Sequence, residues 1–301
     1  MVCIFISSKL DILDLVVVGG GASGFMTAIT ASENGVQKIR ILEASPKLLE
    51  KVRISGGGRC NVTNASWIPD ELSENYPRGG VKLIESFSRF ACGDVFEWFE
   101  NKGVKLKIEE DSRIFPVSNS SLSIVNCLKN FAETIGIQIE TKTYVKRIIN
   151  LENNYFKVFI SDKEYLISKK ITIATGSHPS GYKLAKELGH QIIKPVPSLF
   201  TFSSRKNPIT EYAGISIKNI FLEIVLKNQS FTNKGDLLIT HLGFSGPGIL
   251  KLSSIAARLL SEEKYKFKLI IKWSDVSAED LFKKINDLRV NNGKSSLSNL
   301  R

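Results

Sequence analysis

Leu15-Val16-Val17-Val18-Gly19-Gly20-Gly21-Ala22-Ser23-Gly24 decides the fold of this chain. Four apolar residues run into a glycine turn, and Phe25-Met26-Thr27-Ala28-Ile29 follows with helical texture, so the turn sits where a buried strand becomes a helix. Each glycine has a separate reason. Gly19 permits a tight bend, Gly21 lets the backbone approach a pyrophosphate, and Gly24 lets the helix pack closely on the strand. The helix N-terminus, at Ala22 and Ser23, adds unpaired N–H groups and a partial positive charge. A second strand, Lys38-Ile39-Arg40-Ile41-Leu42, ends at Glu43, followed by Ala44. That is close to the roughly 20-residue offset at which an acid reaches ribose hydroxyls, and it argues against a 2′-phosphorylated nucleotide in this slot.

A second glycine-dense loop follows, Ser55-Gly56-Gly57-Gly58-Arg59-Cys60-Asn61. The two loops with Glu43 between them point to a dinucleotide, and to FAD in particular. The competing reading is a glycine turn in an α/β domain that binds nothing.

At 301 residues the chain has room for two domains, or for one domain carrying an insertion. Its 43% hydrophobic and 24% charged residues describe a globular protein with a sizeable core. No apolar run approaches a membrane span, and Val2-Cys3-Ile4-Phe5-Ile6 is too short for a secretory h-region, so a cytoplasmic protein is expected. Cys3, Cys60, Cys92 and Cys127 form neither a C-x-x-C pair nor a zinc pattern, and the three histidines are scattered; no metal site is expected. The net charge of +11 could attract nucleic acid or an anionic substrate, but the lysines are spread along the whole chain without a basic block. A solvated surface is the preferred reading, with a small-molecule substrate and no nucleic-acid or membrane partner.

Further along, residues 64–80 read as a long surface connection, and Phe87 to Phe99 has helical spacing with an apolar side. Ser123 to Ile135 reads as another helix and Ile137 to Glu140 as a strand. Val145 to Ile149, Tyr155 to Ile160 and Glu164 to Ile167 alternate as an antiparallel meander. It leads into a buried strand, Lys170 to Gly176, ending in Ala174-Thr175-Gly176. The fold class expected is α/β: a Rossmann-like, doubly wound FAD-binding domain over residues 1–193 with an antiparallel meander, then an inserted, mainly β domain with a terminal helix over 194–301.

The chain resembles a family of bacterial flavoproteins, the NAD(P)/FAD-dependent or aminoacetone-oxidase-family oxidoreductases of the YhiN and HI0933-like type. The carrying segments are Val17 to Gly24, Ile54 to Asn64 with its Gly-Gly-Gly-Arg-Cys-Asn loop, Arg113-Ile114-Phe115-Pro116-Val117-Ser118, Ala174-Thr175-Gly176, and Thr240 to Pro247. The resemblance implies that FAD sits on the first loop and Glu43. It also implies that Gly57, Gly58, Arg59, Cys60 and Asn61 lie along the cofactor, that Val145 borders the adenine, and that Thr175 and Gly176 close over the nucleotide. Substrates of the family are mostly unassigned, and one branch looks like reductases of unsaturated steroid acids.

Two departures stand out. Ser177-His178-Pro179-Ser180 runs directly into Gly181-Tyr182 where the family has a longer Gly- and Ser-rich stretch, and the family's chain continues past Arg301 with a segment returning to the flavin. The expectation is therefore a chain truncated at its C-terminus that binds FAD weakly or not at all on purification.

Arg59 could stabilise negative charge on the cofactor, with loop bracing as the alternative. Cys60 is preferred as a small residue beside the flavin over a nucleophile, and neither His178 nor His241 is assigned catalysis. The leading function is a flavin oxidoreductase; no second glycine fingerprint for a nicotinamide domain is present, so NAD(P)H, if used as donor, would visit and leave. The alternatives are a tRNA-acting flavoprotein and a non-catalytic remnant of the family.

Overall fold

The computed structural model describes residues 12–204, 207–227, 229–273 and 278–292; Cys3, the apolar start and the closing residues 293–301 lie outside them. The chain divides into two units, Met1–Ile193 and Lys194–Arg301.

In the first unit, β1 (Ile12–Val18) leads through the glycine turn into α1 (Ala22–Glu33), and β2 (Ile39–Leu42) is followed by α2 (Glu50–Ile54). The second glycine loop then makes one 3-10 turn, Ser55–Gly58. After it come β3 (Thr63–Asn64), α3 (Pro69–Glu74), α4 (Ile84–Phe87), α5 (Cys92–Asn101), β4 (Leu106–Ile108), β5 (Arg113–Pro116), α6 (Ser121–Thr134) and β6 (Gln138–Glu140). The meander is β7 (Arg147–Asn150), β8 (Phe156–Phe159) and β9 (Tyr165–Ile173), and α7 (Pro179–Glu187) follows.

The main sheet has the order β6-β2-β1-β9-β8-β7. Its β6, β2, β1 and β9 run parallel, while β9, β8 and β7 pair antiparallel. Because β1 is covered on both faces, its apolar residues are consecutive rather than alternating. Leu15 and Val17 pack with Phe25 and Ile29 of α1 and Leu128 of α6. Val16 and Val18 pack on the other face with Val145, Ile148 and Leu184 of α7. A doubly wound parallel sheet with a meander at its edge is what the strand-turn-helix pattern foretold.

Three local expectations are corrected. Glu164 to Ile167 and Lys170 to Ile173 are one strand, β9, which pairs with β8 and also continues against β1 from Ile167 to Ile173. The polar Ser168-Lys169-Lys170 interrupts the hydrophobic pattern but not the backbone ladder, and Ser168 is itself buried, its hydroxyl donating to the Lys170 carbonyl. The stripe from Phe87 to Phe99 is two helices, α4 and α5, because the Asp94 carboxylate accepts the Ala91 N–H at 2.7 Å and starts a new helix at Cys92. Phe90, in the break, is exposed. The connection 64–80 contains α3, which opens on Pro69 with Asp70 and Glu71 in its first turn, residues that favour a helix start.

The second unit is an antiparallel sheet backed by a helix. It comprises β10 (Phe202–Ser203), β11 (Ser216–Val225), β12 (Ser230–Thr240), β13 (Gly243–Ser245), α8 (Pro247–Glu262), β14 (Lys268–Lys272) and α9 (Ala278–Asn292), in the sheet order β10-β13-β12-β11-β14. β11 carries a bulge between Ile217 and Ile220 in its pairing with β12. Ile249, Leu252, Ala256 and Leu260, spaced on one face of α8, pack with Leu222, Ile224, Leu237 and Ile239 of the sheet. Gly248 and Gly235 allow α8 to sit close on β12, since a Cβ on either would lie 2.9 Å from the other's backbone.

Candidate functional site

A cleft of about 880 Å³ opens at the carboxyl ends of β1, β2 and β9. In an open parallel sheet this is where ligands bind. Gly19, Gly20, Gly21, Ala22 and Ser23 line it from the first turn, and Glu43 and Ala44 from the end of β2. Lys47, Glu50 and Lys51 around the start of α2, the Thr143–Val145 segment, and Thr175 to Ser180 after β9 also line it.

The glycine turn is closely packed at Gly19 and Gly24. Gly19 has φ +116°, and a Cβ there would lie 2.5 Å from the Ala174 carbonyl oxygen at the end of β9. Gly24 does not line the cleft; a Cβ on it would lie well under 3.0 Å from the Gly19 carbonyl, so its role is helix-to-turn packing. Gly21 differs from both. It is the N-cap of α1, offers no side-chain cap, and a Cβ on it would meet no protein atom within 4 Å. The protein itself does not require a glycine at this position, which faces the cleft, and the first turn of α1 carries no acidic residue. A bare helix N-terminus with a backbone open to approach is a cradle for an anion.

Glu43 is braced as well as exposed to the cleft. One carboxylate oxygen accepts the Gly20 N–H at 2.7 Å and the other accepts the Ser45 N–H at 2.8 Å. An ionised carboxylate has about four acceptor sites, so each oxygen keeps capacity for a hydroxyl. The backbone of Glu43 is tied to Glu140 and Thr143, which brings the loop before Val145 to the cleft rim. Val145 itself is buried against β1.

The short connection after β9 closes without the longer Gly- and Ser-rich stretch. His178 caps α7, its Nδ1 accepting the Ser180 N–H at 3.2 Å, and Pro179 occupies the first turn. Gly181 lets α7 start against Thr175, whose Oγ1 a Cβ would overlap. Capping accounts for His178. His241 lies in the exposed two-residue turn between β12 and β13.

Gly57, Gly58, Arg59, Cys60 and Asn61 are not among the residues lining this cleft. They follow α2 in a turn with Gly56, Gly57, Gly58 and Cys60 all at positive φ. Arg59 pairs with Glu109 at 2.6 Å and lies over the Phe115 ring at 3.9 Å, bracing the loop to the β4–β5 hairpin. That pairing holds the Glu109 carboxyl below the usual carboxylate range. Cys60 is buried, and burial pushes its thiol up despite a hydrogen bond with Ser55, so no thiolate nucleophile is prepared here. Among the described residues no group of three or more His, Cys, Asp or Glu could hold a metal ion. None of the described helices is long and apolar enough to cross a membrane.

Lys51 and Ser177 are lining residues that no sequence signal marked. Lys51 Nζ donates to Ser177 Oγ at 3.2 Å, joining segments 126 residues apart.

A cleft at the carboxyl ends of a Rossmann-type parallel sheet is the class of site that this fold defines. The family model described as the HI0933-like protein Rossmann domain matches residues 13–267, and the chain belongs to that family. It is 27% identical over 256 residues to a 3-dehydro-bile acid delta(4,6)-reductase of Clostridium scindens, covering 82% of this chain and 61% of the relative. It is also 27% identical over 252 residues to a ribosomal RNA dihydrouridine synthase of Haemophilus influenzae, covering 79% and 60%. The chain thus spans about three fifths of the length of these curated relatives. Among solved structures, the open conformation of a flavocytochrome c3 fumarate reductase matches with a TM-score of 0.51 at 18% identity, over 69% of this chain and 47% of that one, a likeness of fold.

Proposed function

We propose that the chain binds FAD and serves an FAD-dependent oxidoreductase that transfers electrons or a hydride to or from a substrate not yet assigned. The observation that carries this reading is Gly21: its cleft-facing side is open, no packing contact accounts for the missing side chain, and it caps a helix without a capping group. The residues present fit the cofactor. Gly19, Gly21, Ala22 and Ser23 would take the pyrophosphate, Glu43 the adenosine ribose, Ala44 and Val145 the adenine side, and Thr175 and Gly176 would cover the nucleotide. Gly57, Gly58, Arg59, Cys60 and Asn61 would lie toward the flavin end. Bound there, the flavin supplies the electron chemistry, and the protein supplies position and electrostatics. Gly24 and Glu43 hold the turn in shape, and Arg59, tied to Glu109, fixes the second loop.

The relative named as a reductase supports a reductive activity; NAD(P)H as a visiting donor and a cytoplasmic setting belong to the same proposal. The second unit, residues 194–301, is proposed as an insert of the Rossmann-like domain. The test is the visible spectrum of the purified chain with and without added FAD. A bound flavin spectrum that saturates at one equivalent is expected; no spectral or calorimetric response to FAD would remove the reading.

A second reading is action on RNA, favoured by the net charge of +11 and by the relatives named for ribosomal RNA. RNA binding that weakens steeply with salt would support it.

A further inference from the structure

We infer that Lys51 is the cation that neutralises the diphosphate of the bound nucleotide, an inference that rests on the nucleotide reading of the cleft. The charged groups lining the cleft are Glu43, Lys47, Glu50 and Lys51. Three of them are otherwise engaged or peripheral. Glu43 accepts two backbone N–H groups, Glu50 is held by both Nε and Nη2 of Arg53, and Lys47, as exposed as Lys51, has its charge beside the Glu50 carboxylate, which it helps to hold ionised. Lys51 differs in having a neutral partner, the Ser177 hydroxyl, and among the described residues no carboxylate lies within ion-pair distance of its Nζ.

Its position follows from the backbone. The Leu49 N–H donates to the Gly20 carbonyl at 2.9 Å, pinning the start of α2 to the phosphate turn. Lys51 stands two residues further on. Its Nζ lies 3.4 Å from where a Cβ on Gly176 would be, beside the loop that meets Gly19 through Ala174 and Thr175. The ammonium therefore bridges α2 and the loop after β9, two of the segments that frame the cleft, whose lining also includes Gly21. A helix N-terminus carries only about half a charge, too little to balance a diphosphate. A lysine acts here as a mobile point charge, and its three donors can keep Ser177 while taking a phosphate oxygen.

The experiment compares ADP with adenosine, which lacks phosphate, by calorimetric titration of the wild-type chain, Lys51→Met and Lys51→Arg, with thermal melts to confirm that each variant folds. Lys51→Met should weaken ADP binding about tenfold, the effect of one charge-assisted hydrogen bond, and leave adenosine unchanged. Its ADP binding should also lose sensitivity to ionic strength. Lys51→Arg should restore most of the ADP affinity. Equal weakening of ADP and adenosine, or unchanged ADP affinity in Lys51→Met, overturns the assignment while the nucleotide site stands. A wild-type chain that does not prefer ADP to adenosine overturns both.

Discussion

Gly21→Ala and Gly24→Ala add the same methyl group three residues apart, and the structure assigns them opposite consequences. At Gly24 the new Cβ falls well under 3.0 Å from the Gly19 carbonyl oxygen, a backbone atom that cannot swing aside. Relief requires α1 to lift from β1, which loosens the contacts of Phe25, Ala28 and Ile29, all fully buried. Overpacking costs about 1–3 kcal/mol, and a gap of roughly 0.5–1 Å forfeits a quarter to a half of each dispersion contact behind it, so a loss of about 3 kcal/mol is expected. For a unit the size of the first one that is a fall in Tm of roughly 6–12 °C. At Gly21 the methyl meets no protein atom and φ is −91°, so the only folding cost is a poorer N-cap, about 1 kcal/mol or less. That methyl instead occupies the path of the phosphate, and ADP and FAD affinity should fall at least about tenfold. Thermal melts and calorimetric titration of both variants supply the readouts. A Gly21→Ala protein with wild-type nucleotide affinity would refute the cradle, and a Gly24→Ala protein with wild-type Tm would refute the packing role.

Glu43→Ala should weaken ADP binding by about 1.5–3 kcal/mol and also lower stability, because the Gly20 and Ser45 N–H groups lose a charged acceptor; an unchanged titration at a temperature where the variant is folded removes Glu43 from the site. Cys60→Ser should leave any turnover largely intact, and the wild-type thiol should alkylate slowly at neutral pH because burial raises it; activity lost with the flavin retained would show that the thiol takes part. Asp14 accepts from Lys169 Nζ at 2.7 Å, which, with the Lys38 N–H, holds its carboxyl below the usual carboxylate range. A depressed folded pKa adds stability above the unfolded value that is lost as pH falls through the folded one, so the gap between wild type and Asp14→Asn should be full at neutral pH and close on acidification. Urea melts across that range measure it, and a gap that widens at low pH contradicts the pairing.

How much of this was legible in the sequence follows from how far each determinant reaches. The order strand, glycine turn, helix, strand and acid from Leu15 to Glu43 was readable because hydrophobic runs, glycine turns and helix periodicity act between near neighbours. The same holds for α6 and the meander. The break between α4 and α5 was in principle available, through Asp94 three residues after Ala91, but the aromatic spacing outweighed it. The small β3-β5-β4 sheet and the continuity of β9 were not readable, because a ladder partner satisfies backbone groups whatever the side chains say. At the site, sequence placed Gly19, Gly21, Glu43, Thr175 and Gly176 together. Tertiary structure decided what their side chains and backbones do: Glu43 closes onto Gly20 from 23 residues away, Arg59 meets Glu109 across 50, and Lys51 meets Ser177 across 126. These contacts carry no local pattern, since they exist only once α2, the β4–β5 hairpin and the end of β9 have been brought side by side by the packing of the sheet.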